Sequence, residues 1–193
     1  NGESYVLKIS NSCETLEFLQ VQNDALDRSA KLLEQGRIPK VFPAKNGEPL
    51  SSIMSKDGSH HWMRLVYYVD GMPMAEYRPH TGEFLRELGR MCGTVTKALH
   101  EIPAPPPSHT LLWEMHNVQK TLHEYMPWIK DEKLLGWVKK SLDLYSRTIE
   151  PLESKLRRGW IHNDFNDYNV LAVPKISGNP DLGLIDFGDM THS

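Results

Sequence analysis

Apolar and polar residues alternate over "SYVLKIS" (4–10), with Tyr5, Leu7 and Ile9 on one side. That period predicts a strand behind an Asn-Gly turn. The period then lengthens. Residues 11–36 read as a helix with Leu16, Leu19, Ala25, Leu26, Ala30 and Leu33 as its apolar stripe. Asn11 or Ser12 is the expected cap, Glu14 lies three residues beyond Asn11, and Gly36 is the expected stop. Residues 38–74 return to strand-like patterning, two or three strands cut by "NG" and "DG" turn signals, the best being 62–69.

Beyond this the pattern is mostly helical. Phe84, Leu85, Leu88, Met91, Cys92, Val95 and Leu99 recur at helical spacing within 81–102. The proline-rich 103–108 predicts a stiff loop, because proline fixes φ and removes a donor. A helix over 112–128 should break at Pro127, and Asp131 should cap a long helix carrying Leu134, Leu135, Val138, Leu142, Tyr145 and Ile149, kinked at Pro151. Two short strands, 169–173 and 182–185, close the chain around a turn-rich 174–181. The expected fold is therefore α+β, with a sheet-rich lobe (1–66), a link (67–72) and a largely helical lobe (73–193).

Composition narrows the class. At 193 residues, 39% hydrophobic and 24% charged, the chain can bury a real core and reads as globular. A net charge of -3 with no basic stripe argues against a nucleic-acid partner. No apolar run approaches the ~18 residues that would span a bilayer, so no membrane partner is expected. Cys13 and Cys92 lack metal-ligand spacing; two lone thiols fit core packing in a reducing, cytoplasmic setting better than a disulfide frame.

The chemistry concentrates in "WIHNDFNDYNVLAVP" (160–174) and "LIDFGDM" (184–190). Acids and amides beside apolar strands are costly unless something satisfies them. Asp164 lies five residues before Asn169, and Asp186 follows across the expected hairpin. Phosphoryl transfer needs such a set: one carboxylate to orient a hydroxyl and take its proton, and an amide oxygen and a second carboxylate to hold Mg²⁺ against phosphates. Other clusters are weaker. His60 and His61 are adjacent, so strand geometry would point them to opposite faces, and a turn after "DGS" is expected there. His116 and His123 lack an evident third ligand.

"HNDFNDYN" followed by "IDFGD" resembles the catalytic loop and metal-binding segment of the protein-kinase-like fold. The flanking residues are most similar to the aminoglycoside phosphotransferase and choline kinase family, and within it to the hydroxylysine kinase group. The resemblance implies a two-lobed kinase-like fold, partial at both ends of this chain. It further implies transfer of the γ-phosphoryl of GTP or ATP, with Mg²⁺, to the alcohol of a cationic small molecule, 5-hydroxy-L-lysine first among candidates. By position, Asp164 would be the base, His162 a residue that shapes the loop, and Asn169 and Asp186 the metal ligands. Lys8 would hold the nucleotide phosphates, and the backbone of Val66, Tyr67 and Tyr68 would meet the base. Asp167, Asp189 and Glu76 are candidates for the cationic acceptor, with Asp189 equally a metal-shell or loop-tying residue. Trp113 is placed by analogy at the acceptor.

Two residues depart from the family pattern. Asn163 stands where glycine is usual, and asparagine is the next best residue for a left-handed backbone. Gln22 stands where a helix glutamate should orient the lysine; it brings no charge, so that ion pair is expected to be absent or replaced by Glu17 or Asp24.

Overall fold

A computed structural model describes residues 2–33, 36–105, 111–175 and 180–193. Strand β1 (Tyr5–Ile9) is followed by helix α1 (Leu16–Leu32). Asn11 and Glu14 do form the reciprocal box read from the sequence: Asn11 Oδ1 accepts from Glu14 N at 3.0 Å, and Glu14 Oε2 accepts from Asn11 N at 3.0 Å. This box closes a separate turn. The helix starts later, capped by Thr15, whose hydroxyl accepts from Phe18 N at 3.2 Å. Its buried face is also turned from the expected stripe, to Phe18, Leu19, Gln22, Ala25, Leu26 and Ser29. Two polar residues thus enter a face that hydrophobicity alone assigned elsewhere. The last part of the expected helix, 34–35, lies outside the described residues.

The first sheet has the order β1-β4-β2, with β3 also paired to β4; it uses β2 (Val41–Phe42), β3 (Ser51–Met54) and β4 (His60–Tyr67). The Asp57-Gly58 signal forms the β3–β4 hairpin, with Gly58 at φ 86°, a left-handed value glycine adopts freely. His60 and His61 lie within β4, not in a turn. His61 Nδ1 is 2.8 Å from Ser10 O. β1 is an edge strand, and the Leu7 and Ile9 side chains are more than half exposed. The alternation correctly marks a strand there but not its buried face.

After β5 (Met72–Pro73), helix α2 (Gly82–Leu99) is capped by Thr81 and buries Phe84, Met91, Val95, Ala98 and Leu99. Cys92 is exposed, as is Cys13, so neither thiol packs in the core as expected; both are free. Strands β7 (Val170–Val173) and β8 (Asp181–Leu184) form the closing hairpin, with β5 on the outer edge of β7. Val170, Leu182 and Leu184 are fully buried. Burial at these positions is what fixes the ends of the hairpin, and Leu184→Ala would cost about 2–5 kcal/mol. Gly71 is pressed against this hairpin: a Cβ there would lie 3.0 Å from Leu171 Cβ and 3.1 Å from Ala172 O.

The chain divides into two compact units, Asn1–Pro103 with Ile161–Met190, and Ala104–Trp160 with Thr191–Ser193. The second unit holds α3 (Val118–Tyr125) and α4 (Glu132–Thr148). Pro127 sits in a 3-10 turn, Met126–Trp128, that ends α3, and Asp131 caps α4 by accepting from Lys133 N and Leu134 N at 2.8 and 3.0 Å. The chain past Pro151 winds as 3-10 helix over Glu150–Lys155. Trp160, which opens β6 (Trp160–Ile161), meets His192 of β9 (Thr191–His192) edge-on. Parts of two expected loops, 106–108 and 176–179, lie outside the described residues. Among the described residues no helix is long and apolar enough to cross a membrane.

Candidate active site

His162, Asp164, Asn169, Asp186 and Lys8 all lie within the first unit, and Asp186 contacts Lys8. The loop between β6 and β7 begins at His162, which is buried. Its Nδ1 accepts from Asp164 N at 3.3 Å, which leaves Nε2 as the donor to Ile185 O at 3.0 Å. One imidazole therefore ties the loop to the segment carrying Asp186. Phe187 and Phe165 contact the ring edge-on, with centroids 4.7 and 5.2 Å away. Burial pushes the His162 pKa below its ordinary value, against the pull of Ile185 O, Asp164 and Asp186, so the ring is held neutral.

Asn163 has φ 66°, the left-handed conformation expected where the family pattern has glycine. That twist reverses the chain so that Asp164 faces the amides after it. Asp164 Oδ1 accepts from Asn166 Nδ2 at 2.8 Å, and Oδ2 accepts from Asn169 Nδ2 at 2.7 Å. Asn169 Nδ2 also lies 3.1 Å from Asp164 O. Asn169 thus spends its donors on Asp164, and its side-chain oxygen remains the atom suited to a cation. Asn166 does more than close its own loop: its Oδ1 accepts from Tyr168 N and Asn169 N at 2.8 and 3.1 Å while its amide orients Asp164.

Asp186 stands just past β8, also left-handed at φ 61°. Its Oδ1 is 2.7 Å from Lys8 Nζ. Partial burial pushes its pKa up, but the hydrogen bond and charge of Lys8 and the Gly188 N–H outweigh this and hold it below the usual value. Asp189 goes the other way, raised by desolvation and then by the charges of Asp164 and Asp186. Like charges therefore converge here. Among the described residues no three His, Cys, Asp or Glu side chains gather as a self-contained metal cage. The donors present, Asn169 and Asp186, are oxygens and few. That suits a hard cation whose shell is completed by water and phosphate.

A cavity of about 370 Å³ adjoins this set, walled by Val6, Val66, Val69 and Leu171 with Lys8 and Asp186 at its polar end. Val66 is buried, whereas Tyr68 is exposed. The N–H groups of Tyr67 and Tyr68 are engaged, to Lys40 O at 2.8 Å and Ser4 O at 3.0 Å. A nucleotide base along this segment would use its other backbone groups. A larger hollow, about 720 Å³, is lined by Arg37, Glu87 and Asp181 and by none of Lys8, His162, Asp164, Asn169 and Asp186.

Gln22 is buried but does not reach toward Lys8 as an orienting partner; its Oε1 accepts from Arg64 Nη2. Neither Glu17 nor Asp24 replaces it, since the ion pair of Lys8 is with Asp186 and that of Asp24 with Arg28. Asp167 is exposed, and its carbonyl accepts from Ala75 N at 2.8 Å, which brings the neighbouring Glu76 to the same edge. Trp113 is exposed in the second unit. Arg64, not among the residues expected here, lines the same cavity as Lys8 and Asp186. The signal was a cation inside the apolar run "WMRLVYY", in phase with Val66.

The fold is that of the kinase-like phosphotransferases. The profile of the phosphotransferase enzyme family, APH, matches residues 1–193, and the chain belongs to that family. It is 25% identical over 208 residues to hydroxylysine kinase of Danio rerio, an alignment covering 98% of this chain and 55% of that protein. Among solved structures it is similar to a microcompartment-associated aminopropanol kinase, with TM-score 0.71, 18% identity, and coverage of 98% of this chain and 59% of that one. It is also similar to an amicoumacin kinase in complex with AMP-PNP, Ca²⁺ and its ligand, with TM-score 0.70, 15% identity, and coverage of 100% and 54%. A third is an aminoglycoside 2'-phosphotransferase-IIIa mutant with GDP, at TM-score 0.56, 17% identity, and coverage of 100% and 62%. The chain thus spans between about half and three-fifths of the length of these relatives.

Proposed function

We propose that the protein containing this chain transfers the γ-phosphoryl group of ATP or GTP to the hydroxyl of a cationic amino alcohol, 5-hydroxy-L-lysine being the first candidate. The observation that carries this reading is two pairs, Asp164 with Asn169 and Lys8 with Asp186, each at 2.7 Å, on segments joined where Ile185 N donates to Asn169 O at 2.9 Å. The names of the similar proteins favour the acceptor class, since hydroxylysine and aminopropanol are both amino alcohols. AMP-PNP and GDP in two of the similar structures favour a purine nucleotide donor.

In this reading residues 1–66 and 73–193 are parts of the two lobes, and 67–72 is the hinge along which the base lies. Lys8 neutralises phosphate charge. Asn169 and Asp186 would hold Mg²⁺, which when bound supplies positive charge on the phosphate oxygens. Asp164, fixed by two amides, orients the acceptor hydroxyl. As the new O–P bond forms and the bond to the β,γ-bridging oxygen breaks, the hydroxyl proton passes to the Asp164 carboxylate. His162 acts on position alone: neutral and buried, it holds the loop to Ile185. Asp167 and Glu76, on one edge, and Asp189 would attract the acceptor ammonium. Two free thiols fit a cytoplasmic setting.

The test is transfer of radiolabelled phosphate from ATP and GTP to a panel of amino alcohols, in wild type and Asp164→Ala. Unchanged hydroxylysine phosphorylation in the variant would remove Asp164 as the base. A second reading rests on Gln22: without a helix carboxylate on Lys8, the domain binds nucleotide without turnover. Nucleotide binding with no transfer to any acceptor would favour that one.

A further inference from the structure

Arg64 is a buried cation at the polar end of the nucleotide-sized cavity. It is the Cα partner of Lys8 across the antiparallel β1–β4 ladder, so both side chains leave the same face of the sheet. Both line the 370 Å³ cavity and an adjoining hollow of about 380 Å³, each of which Asp186 also lines. Only 6% of Arg64 is exposed.

Its partners are all neutral. The guanidinium donates to Gln22 Oε1, to Asn23 Oδ1 and, at 3.4 Å, to Leu19 O. Its Nε has no hydrogen-bond partner, and no ion pair includes Arg64 among the described residues. The contrast is with Arg37, equally buried, whose Nη2 lies 3.1 Å from Glu87 and whose Nη1 lies 4.0 Å from Asp181. Where this chain buries an arginine away from the site, it gives it carboxylates. Beside Lys8 it supplies amides and a carbonyl. A buried charge without a counter-charge is costly, and burial alone pushes the Arg64 pKa down, with Glu14 and Asp186 pulling it up. The guanidinium stays protonated all the same.

We propose that Arg64 is a second cation of the phosphate site, and that its neutral cage leaves its charge available to the polyphosphate of the nucleotide. This rests on the phosphotransfer reading above. Gln22 then has a reason to be uncharged: a glutamate there would neutralise the arginine next to it. Lys8 and Arg64 together offer two positive charges to a triphosphate, one part-exposed and paired with Asp186, the other fixed between sheet and helix.

Calorimetric titration of wild type, Gln22→Glu, Arg64→Met and Lys8→Met with ATP, GTP and the bare nucleosides tests this. Gln22→Glu keeps the arginine in place but gives it a carboxylate. Triphosphate affinity should fall about tenfold or more, with nucleoside affinity unchanged and a smaller salt dependence. Arg64→Met should act in the same direction. Unchanged or tighter triphosphate binding in Gln22→Glu, or an equal loss of nucleoside and triphosphate, overturns the proposal and makes Arg64 a tie between α1 and β4. Loss in Lys8→Met without loss in Gln22→Glu overturns the role of Arg64 alone. Failure of wild type to bind any triphosphate overturns the phosphotransfer reading itself.

Discussion

Lys8 Nζ lies 2.7 Å from Asp186 Oδ1, linking β1 to the residue just past β8 across 178 positions of sequence. Both side chains are substantially exposed, and a pair of this kind contributes about 0–1 kcal/mol. It therefore yields readily to a stronger competitor. A divalent cation on Asp186 and a phosphate on Lys8 are the natural ones. Asp186→Asn should abolish the dependence of nucleotide affinity on divalent cation while preserving the thermal midpoint within a few degrees. Titration with and without Mg²⁺ measures the first, and calorimetric melting the second.

Asp164 is held by amides on both carboxylate oxygens, so Asp164→Asn keeps size while removing the proposed base. Turnover should fall by about 10²–10⁴-fold, with nucleotide affinity little changed. Equal losses in affinity and turnover would assign Asp164 to binding.

In the proposed mechanism Asn166 positions Asp164, to which its amide donates at 2.8 Å. Asn166→Ala frees Asp164 Oδ1 and the N–H of Tyr168, and leaves Asn169 N–H only its 3.2 Å bond to the Asn166 carbonyl. The expected result is a fall in kcat of about tenfold, a step of about 1.4 kcal/mol, with KM for the nucleotide nearly constant. A rise in KM alone would contradict the role.

Asn163 tests the backbone. At φ 66° a β-branched residue is penalised, and Asn163→Val should destabilise by about 1–2 kcal/mol. Asn163→Gly should fold as well as wild type and retain activity. Chemical denaturation compares the three.

His162 is buried and neutral, with its pKa depressed. The unfolded chain binds a proton there near the ordinary value of about 6.5, and the folded chain does so only at lower pH. The stability associated with the neutral ring is thus present above that value and is lost as pH falls toward the folded pKa. Melting temperature should drop between about pH 7 and pH 5, and His162→Gln should flatten that slope.

Local pattern alone marks β1, β4, β7 and β8, three of the main helices and the polar loop, because each is a local matter; the two-residue β6 and β9 carry no such pattern. Asp131 caps its own helix, the Asp57-Gly58 turn makes its own hairpin, and Asn163 takes a left-handed backbone from its own chemistry. The spacing of Asp164 and Asn169 is likewise local, five residues within one loop. Which face each element buries is instead set by long-range packing. Leu7 and Ile9 look like core and are exposed, while Gln22, Ser29 and Arg64 look solvated and are buried. Alternation records a period, but its phase depends on which neighbour covers the element. The pairing of Lys8 with Asp186 and of Gln22 with Arg64 belongs to the same class of fact. These contacts depend on the register of β1 against β4 and on α1 crossing behind them, and neither is written in the residues that meet.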